Sequence, residues 1–192
     1  MPRAIAAMAR EHPGVEVALG EASTPALLRR LRAGRIEVAV VALDTAGLRD
    51  AADLRVEHLL TGRSLVAVAD AHLLAPRGTV VPEDLEGETW IVGAAKEGEP
   101  VFGPWPGLRD PPVAFAAREW ASRLGLVAAG LGIATVPAVA SAVVPAGVTL
   151  LEVSGGNPGG RDGYVATAAV RSPAAAAFVR ALETAARTVE ER

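Results

Sequence analysis

The stretch VEVALGEASTPALLRRLRAGRIEVAVVAL, residues 15–43, carries the clearest fold signal of the chain. Residues 15–19 alternate apolar and other side chains at the period of a strand. Thr24-Pro25 then places a hydroxyl and a proline at the start of a helix, which Gly34 ends. Residues 37–43 are almost all apolar, which is typical of a strand covered on both faces. Strand, helix and strand at this spacing predict a βαβ unit with parallel pairing and a right-handed crossover.

The remainder of the chain continues the alternation of helix and strand. A helix over 3–11 is predicted to end at His12-Pro13-Gly14, because a residue before proline avoids helical geometry. Gly130 is predicted to end a helix over 119–130, and the glycine-rich stretch 154–163 favours a loop. The other expected elements are strands over 55–60, 64–69, 90–92, 112–116, 133–136, 148–153 and 164–170, and helices over 138–142 and 173–190.

Composition excludes several classes of protein. Of the 192 residues, 51% are hydrophobic and 21% are charged, which is not the composition of a disordered chain. No apolar run approaches the roughly 20 residues that cross a bilayer, and the first residues lack the apolar core of a signal peptide, so we expect no export. The absence of cysteine excludes disulfides and thiolate metal sites. A net charge of −3 argues against nucleic-acid binding by this chain.

Glycine and serine motifs for nucleotide binding or hydrolysis are not matched. Gly130-Leu131-Gly132 resembles the start of a dinucleotide fingerprint, but it follows a predicted helix and precedes a strand, which is the reverse of the required order. We interpret it as the end of a helix. The loop over 155–160 lacks the Lys-Ser/Thr pair of a phosphate-binding loop, and no Gly-x-Ser-x-Gly stretch is present.

The titratable side chains form no recognisable catalytic or metal-binding set. His12, His58 and His72 are not spaced like metal ligands. A carboxylate pair could be drawn from four acidic residues, but nothing in their spacing brings any two together, so solvated positions are the default. These residues are Glu97, Glu99, Asp110 and Glu119. The sequence therefore predicts no catalytic residue, no metal site and no cofactor.

Two turns are candidates for contact with a small ligand. Ser23-Thr24 opens the helix of the predicted βαβ unit, where free backbone N–H groups and the positive helix end suit a small anion. The alternative is that these two residues only cap the helix. Gly93-Ala94-Ala95 follows a strand and lacks bulk, so a ligand can approach its backbone. Both turns fall beyond the carboxyl end of a predicted strand, where open α/β sheets bind ligands.

The aromatic residues are concentrated in one region of the chain. Five of the seven lie between Trp90 and Trp120. This shift in composition supports two lobes. The aromatic side chains either fill a small core or supply ring contacts to a ligand.

Seven short stretches together resemble the effector-binding domain of LysR-type transcriptional regulators. LVAAGLGIATVP at 126–137 is similar to a hallmark of that family, an apolar helix that turns at glycines into a strand closed by proline. Each stretch alone is degenerate, whereas their order and spacing cover nearly the whole chain. The other six are HPGVEV at 12–17, GEAST at 20–24, LLRRL at 27–31, GRIEVAV at 34–40, AHLLA at 71–75 and VPEDL at 81–85.

The resemblance implies a type 2 periplasmic-binding-protein-like α/β fold, in which two Rossmann-like lobes are joined by two crossover strands. Lobe one would comprise residues 1–69 and 165–192, and lobe two residues 70–164. A small effector would bind in the cleft between the lobes, and closure would change the geometry of a homodimer or tetramer. The residues that fall where the family contacts its effector are Ser23, Thr24, Gly93, Ala94 and Ala95.

The resemblance also indicates partners and missing parts. In similar regulators the first helix, here 3–11, lies near helix 119–130 of the other subunit in an antiparallel pair. The family's N-terminal winged helix-turn-helix is absent from this sequence, so we expect DNA binding only through that absent domain, and no membrane partner. The family's first strand normally precedes the helix at 3–11, so we expect the first strand of lobe one to be missing.

The leading hypothesis is therefore a non-catalytic, cytoplasmic, ligand-sensing domain of a LysR-type regulator that binds a small anionic effector. A solute receptor of a transport system and a small enzyme on the same fold are the alternatives. The missing export signal counts against the first alternative. The lack of a convergent acid–base or nucleophile set counts against the second.

Overall fold

The computed structural model describes residues 1–94, 102–155 and 161–190. The chain divides into two compact units, of which unit one is Met1–Thr61 with Arg161–Arg192 and unit two is Gly62–Gly160. Both divisions fall earlier in the chain than those of the expected lobes, because the strand Ser64–Ala69 pairs with strands of unit two and the strand Asp162–Thr167 pairs with strands of unit one.

Unit one is a three-stranded antiparallel sheet with helices on both faces. Its elements, numbered in chain order through the whole protein, are helices α1 (Pro2–Glu11), α2 (Thr24–Arg32), α3 (Thr45–Asp50) and α5 (Pro173–Glu190), and strands β1 (Val38–Leu43), β2 (Arg55–Leu60) and β9 (Asp162–Thr167). The strand order is β1-β9-β2. Val41 of β1 packs with Leu28 and Leu31 of α2, whereas its neighbour Val40 packs with the α1/α5 side. The prediction that residues 37–43 are covered on both faces holds for most of the strand, but Glu37 and Ala42 are exposed.

The prediction that residues 15–19 form the first strand of a βαβ unit is wrong. Residues 15–23 form no strand, and the backbone N–H and C=O groups of 16–22 make no hydrogen bond to the described chain. Within the described ranges β1 pairs with β9 alone, and that pairing is antiparallel, so no parallel crossover forms. Residues 15–22 and 38–40 instead line a groove of about 1040 Å³. The alternating segment has no strand at the spacing of about 4.8 Å that a ladder requires, and it therefore stays unpaired.

Unit two is a mixed sheet with one helix packed on it. The strand order of its larger set is β4 (Thr79–Val80), β8 (Val148–Val153), β3 (Ser64–Ala69) and β7 (Ala134–Pro137). Its smaller set is the parallel pair of β5 (Trp90–Gly93) and β6 (Val113–Ala117). A parallel bridge from Trp90 to Ile133 connects the two sets. Short 3-10 turns cover Ala75–Arg77, Pro82–Leu85 and Ala138–Val143. The helix of unit two is α4 (Trp120–Ala128).

The turn after α4 explains the glycine pair of the family hallmark. Gly130 has φ +73°; its N–H donates to the Val127 carbonyl at 2.8 Å, and the Leu131 N–H donates to the Leu126 carbonyl at 3.1 Å. This is a Schellman end, and it confirms the prediction that Gly130 closes the helix. Gly132 has φ +153°, and a Cβ there would lie 2.6 Å from the Thr89 carbonyl oxygen. Gly130 therefore supplies the positive φ that ends the helix, and Gly132 allows the close approach of the Thr89 backbone.

The core of unit two fixes where α4 lies. Leu124 and Val127 of α4 are buried in one cluster with Ile91 of β5 and Val136 of β7. Because these apolar contacts hold α4 against the sheet, the side chains at its first turn lie beside the carboxyl end of β5.

Candidate functional site

The turn before α2 presents both predicted hydroxyls of unit one. Ser23 is the N-cap of α2 in an extended conformation, with φ −64° and ψ 152°, and Thr24 is the first helical residue, so the helix starts one residue earlier than a Thr24 cap would give. The Ser23 side chain makes no capping hydrogen bond, and neither hydroxyl is bonded to a described residue. Both hydroxyls therefore keep their hydrogen-bonding capacity for a ligand.

The turn after β5 presents the predicted residues of unit two that the structure describes. Gly93 and Ala94 are consecutive, and Ala95 lies outside the described residues. The Gly93 N–H donates to the Phe102 carbonyl at 2.8 Å, and the Ala94 N–H donates to the Ala117 carbonyl at 3.2 Å. Because both amides already have partners within the chain, neither the Gly93 nor the Ala94 N–H is free to donate to a ligand.

The aromatic residues between Trp90 and Trp120 divide into two groups. Trp90 and Trp105 are buried in the core of unit two, which confirms core filling for these two rings. Phe102 and Trp120 are only partly buried, and their rings meet edge to face with centroids 5.0 Å apart. Phe115 is 40% exposed on β6.

Arg123 lies between these two partly buried rings. Its guanidinium carbon is 4.1 Å from the centroid of the Trp120 ring and 5.7 Å from that of Phe102. The residue is only 3% exposed. A Cβ atom on Gly93 would lie 2.9 Å from Nη2 of Arg123, so the tip of the guanidinium reaches the predicted turn after β5.

The charge of Arg123 has no counterpart among the described residues. Nε and Nη1 are buried and donate no hydrogen bond. Burial lowers the pKa of Arg123, and no charged group of the described chain contributes to that shift. A buried guanidinium is normally paired, since removing it from water without a partner is costly.

Sequence reasoning did not identify Arg123, although a signal existed. Arg123 is three residues after Trp120 and four before Val127, so helical spacing places it on the apolar face of α4. A single cation on an apolar helix face departs from the usual amphipathic pattern. That departure could have marked the residue.

The groove of unit one is a second concave surface. The apolar side chains of Ile5, Met8 and Phe178 line it together with backbone of residues 15–22 and 38–40. Charged side chains among its lining residues are Glu16, Glu21, Arg30, Arg35 and Glu37. The groove reaches Ala22 but does not include Ser23 or Thr24 among its lining residues.

The three histidines have separate surroundings. His58 meets the Tyr164 ring edge to face at 5.5 Å, and Nδ1 of His72 accepts the Leu74 N–H at 3.2 Å.

No group of three or more histidine, aspartate or glutamate side chains that could hold a metal ion is found in the described ranges. Within those same ranges no helix is long and apolar enough to cross a membrane.

Comparisons with known proteins identify the fold. The family model of the LysR substrate binding domain matches residues 1–187. The BenM effector binding domain with its effector benzoate superposes with a TM-score of 0.80 at 21% identity, covering 100% of this chain and 88% of that one. The effector binding domain of QuiR in complex with shikimate gives 0.73 at 17% identity, covering 97% and 90%. The regulatory domain of CcmR from Synechocystis PCC6803 in complex with 2-PG gives 0.73 at 20% identity, again covering 97% and 90%. The comparison with curated proteins found no match.

These matches confirm the fold class and the family resemblance deduced from the sequence. The solved structures share the mixed α/β fold with open sheets that is typical of type 2 periplasmic-binding-protein-like domains. The family model spans both units, from residue 1 to residue 187 near the end of α5. The chain therefore belongs to the family of LysR substrate binding domains, the ligand-sensing regulatory domains of LysR-type transcriptional regulators.

Proposed function

We propose that this chain binds a small organic anion as the effector of its regulator. The observation that carries the proposal is the match of the family model across residues 1–187. The similar domains of BenM and QuiR hold benzoate and shikimate, whose names denote carboxylate anions. An effector of the same kind suits the two turns described above.

In unit one, the effector contacts are Ser23 and Thr24. Their hydroxyls have no partner among the described residues, and they stand at the first turn of α2, where the helix dipole favours negative charge. In unit two, Gly93 and Ala94 form the contacting turn, where the absence of a Gly93 side chain leaves room for the Arg123 guanidinium.

The regulatory step is a population shift. An effector changes the conformation of the domain only to the extent that it binds one conformation more tightly than another. As a regulatory domain the chain acts in the cytoplasm and leaves its ligand chemically unchanged. DNA is contacted through a separate helix-turn-helix domain of the regulator.

The regulator acts as a homodimer in which α1 of one subunit packs beside α4 of the other. Small side chains are exposed on both helices, at Ala6 and Ala9 of α1 and at Gly125 of α4. Near α4, β6 exposes Val113 at 51% and Phe115 at 40%. An exposed apolar strand at the edge of a sheet is an aggregation hazard unless a partner covers it. These exposed side chains support the pairing.

Thr24→Val tests the contact in unit one. Thermal shift and calorimetry with benzoate, shikimate and phenylacetate first identify a carboxylate that binds the chain. We expect Thr24→Val to weaken that binding by about tenfold, the effect of one hydrogen bond to a charged group. Thr45→Val is the matched control, because Thr45 is likewise the first residue of a helix, α3, and is exposed.

Two outcomes would contradict the proposal. If Thr24→Val and Thr45→Val both bind the carboxylate like the unmodified chain, the contact is misplaced. If the ligand recovered after incubation is chemically altered, the protein is an enzyme on this fold and the sensor function is wrong.

A further inference from the structure

Arg123 is a buried cation with two nitrogens that have no hydrogen-bond partner among the described residues. A guanidinium carries five N–H donors in one plane, and in Arg123 the buried Nε and Nη1 donate to no described atom. Stacking on Trp120 at 4.1 Å recovers part of the cost through a cation–π interaction. Stacking acts through the face of the guanidinium, so it leaves the N–H groups in its plane unsatisfied.

The location of this unsatisfied group is specific. Its Nη2 lies at the Gly93 turn, where the parallel strands β5 and β6 end and α4 begins. Ligands of open α/β sheets bind at the carboxyl ends of parallel strands. The amides of Gly93 and Ala94 already have partners, so among the described residues at this turn Arg123 offers the donors for an anion.

We propose that Arg123 binds the carboxylate of the effector, and that the effector is a small organic monocarboxylate with a flat apolar body. This inference rests on the proposed function and adds the chemical class of ligand and the residue that selects it. The planar guanidinium matches the two oxygens of a carboxylate, and the partly exposed rings of Phe102 and Trp120 suit an apolar body next to it.

The charge of the site favours a carboxylate over a phosphate. Among the described residues no charged group shifts the pKa of Arg123, which burial alone lowers. One guanidinium balances one negative charge, whereas a phosphate ester carries close to two at neutral pH. A dianion would leave an uncompensated charge in a poorly solvated place.

A purely structural role for Arg123 and a ligand-binding role predict opposite effects of its replacement on stability. If Arg123 serves only to stack on Trp120, its replacement by an apolar residue of similar length loses packing and lowers the melting temperature. If Arg123 is an unpaired charge held for a ligand, Arg123→Met removes the cost of burying it. The melting temperature of the unliganded chain is then unchanged or raised.

The experiment compares four forms of the 192-residue chain: unmodified, Arg123→Met, Arg123→Lys and Arg118→Met. Arg118 is an exposed cation just before α4 and provides the matched control. Each form is melted without ligand and titrated with benzoate, shikimate and phenylacetate, with benzamide as the neutral analogue of benzoate and with inorganic phosphate. Thr24→Val is titrated in parallel.

The expected result is carboxylate binding that benzamide and phosphate do not reproduce. Arg123→Met weakens it about 10- to 100-fold, the loss of hydrogen bonds to a charged group, without lowering the melting temperature. Arg123→Lys retains part of the affinity, and Arg118→Met retains all of it.

Three outcomes would overturn the inference. If Arg123→Met binds the carboxylate unchanged while Thr24→Val does not, the sensor function stands and Arg123 is structural. If phosphate binds more tightly than every carboxylate, or no carboxylate binds, the ligand class is wrong. If Arg123→Met lowers the melting temperature by several degrees and Arg123→Lys restores it without affecting the carboxylate affinity, then Arg123 serves to stack on Trp120 and not to bind a ligand.

Discussion

Gly93 and Arg123 approach so closely that no side chain fits between them. A Cβ on Gly93 would lie 2.9 Å from Nη2 of Arg123 and 3.3 Å from the backbone nitrogen of Phe102. Contacts under 3.0 Å are essentially never made by a real Cβ, so one of the two groups must move. The end of the flexible arginine side chain is the group that can move.

Gly93→Ala is therefore expected to displace the Arg123 guanidinium while the chain still folds. We predict a loss of stability below about 2 kcal/mol, because a side-chain tip relaxes more easily than backbone. Carboxylate affinity is predicted to fall at least threefold. Gly103→Ala is the control, since a Cβ there meets nothing within 4 Å. Equal affinities of the two variants in calorimetry would show that the position of Arg123 does not matter for binding.

Glu57 of β2 predicts a pH dependence of stability. It forms ion pairs with Arg171 and with Arg55, and the hydrogen bond from Arg171 lowers the pKa of Glu57 against the opposing effect of desolvation. Because the folded pKa lies below the unfolded value of about 4.3, the stabilisation is complete above that pH and is lost as the pH falls through the folded pKa.

We expect Glu57→Gln to lower the free energy of unfolding at pH 7 by about 1–2 kcal/mol, and the difference from the unmodified chain to shrink below about pH 4. Urea denaturation at several pH values measures both. The control is Glu152→Gln, whose ion pair with Arg63 is exposed and worth less. A loss of the same size at pH 7 and pH 3 would show that Glu57 does not stabilise the folded chain through its charge.

The proposed dimer predicts that charges on α1 or β6 dissociate it. Ala9 and Phe115 are exposed in the single chain, so Ala9→Glu and Phe115→Glu leave the fold of each unit intact. We expect light scattering to report twice the chain mass for the unmodified protein and the single chain mass for each variant. Ala52→Glu, at an exposed alanine after α3, should remain dimeric. A monomeric unmodified chain at high concentration would contradict the pairing.

The groove of unit one predicts that an added strand stabilises the protein. Met1 and Pro2 line the groove, and β1 has no partner on its second edge among the described residues. We expect an apolar strand-forming extension of about six residues before Met1 to pair with β1 and raise the melting temperature, by about 2–4 °C for each kcal/mol gained. A Gly-Ser extension of equal length is the control. Equal melting temperatures would show that the groove does not accept a strand.

Local signals in the sequence were sufficient for most elements. The strands predicted over 55–60 and 64–69 match β2 and β3, and Gly130 ends α4 as predicted. Each depends on neighbouring residues, namely a period of two or a glycine that adopts positive φ. The strand predicted over 15–19 failed because pairing also requires a partner strand, and alternation within a segment carries no information about its partner.

Arg123 was not predicted for a related reason. Arginine is rarely fully buried unless it is paired, so the residue type alone favours a solvated position. Its burial depends on Phe102 and Trp120 meeting around it, and the fold brings Gly93 to the same place. The candidate contacts at Ser23, Thr24, Gly93 and Ala94 came from the turns that follow predicted strands and from the family resemblance, and they stay predictions.

The central claim is that this chain senses a small organic carboxylate without transforming it. Calorimetric titration of the unmodified chain with benzoate, shikimate and phenylacetate, followed by mass analysis of the recovered ligand, tests it most directly. We expect saturable binding of at least one of them with a single site per chain, and recovery of that ligand unchanged. Absence of binding by all three at millimolar concentration, or conversion of a bound ligand to product, would contradict it.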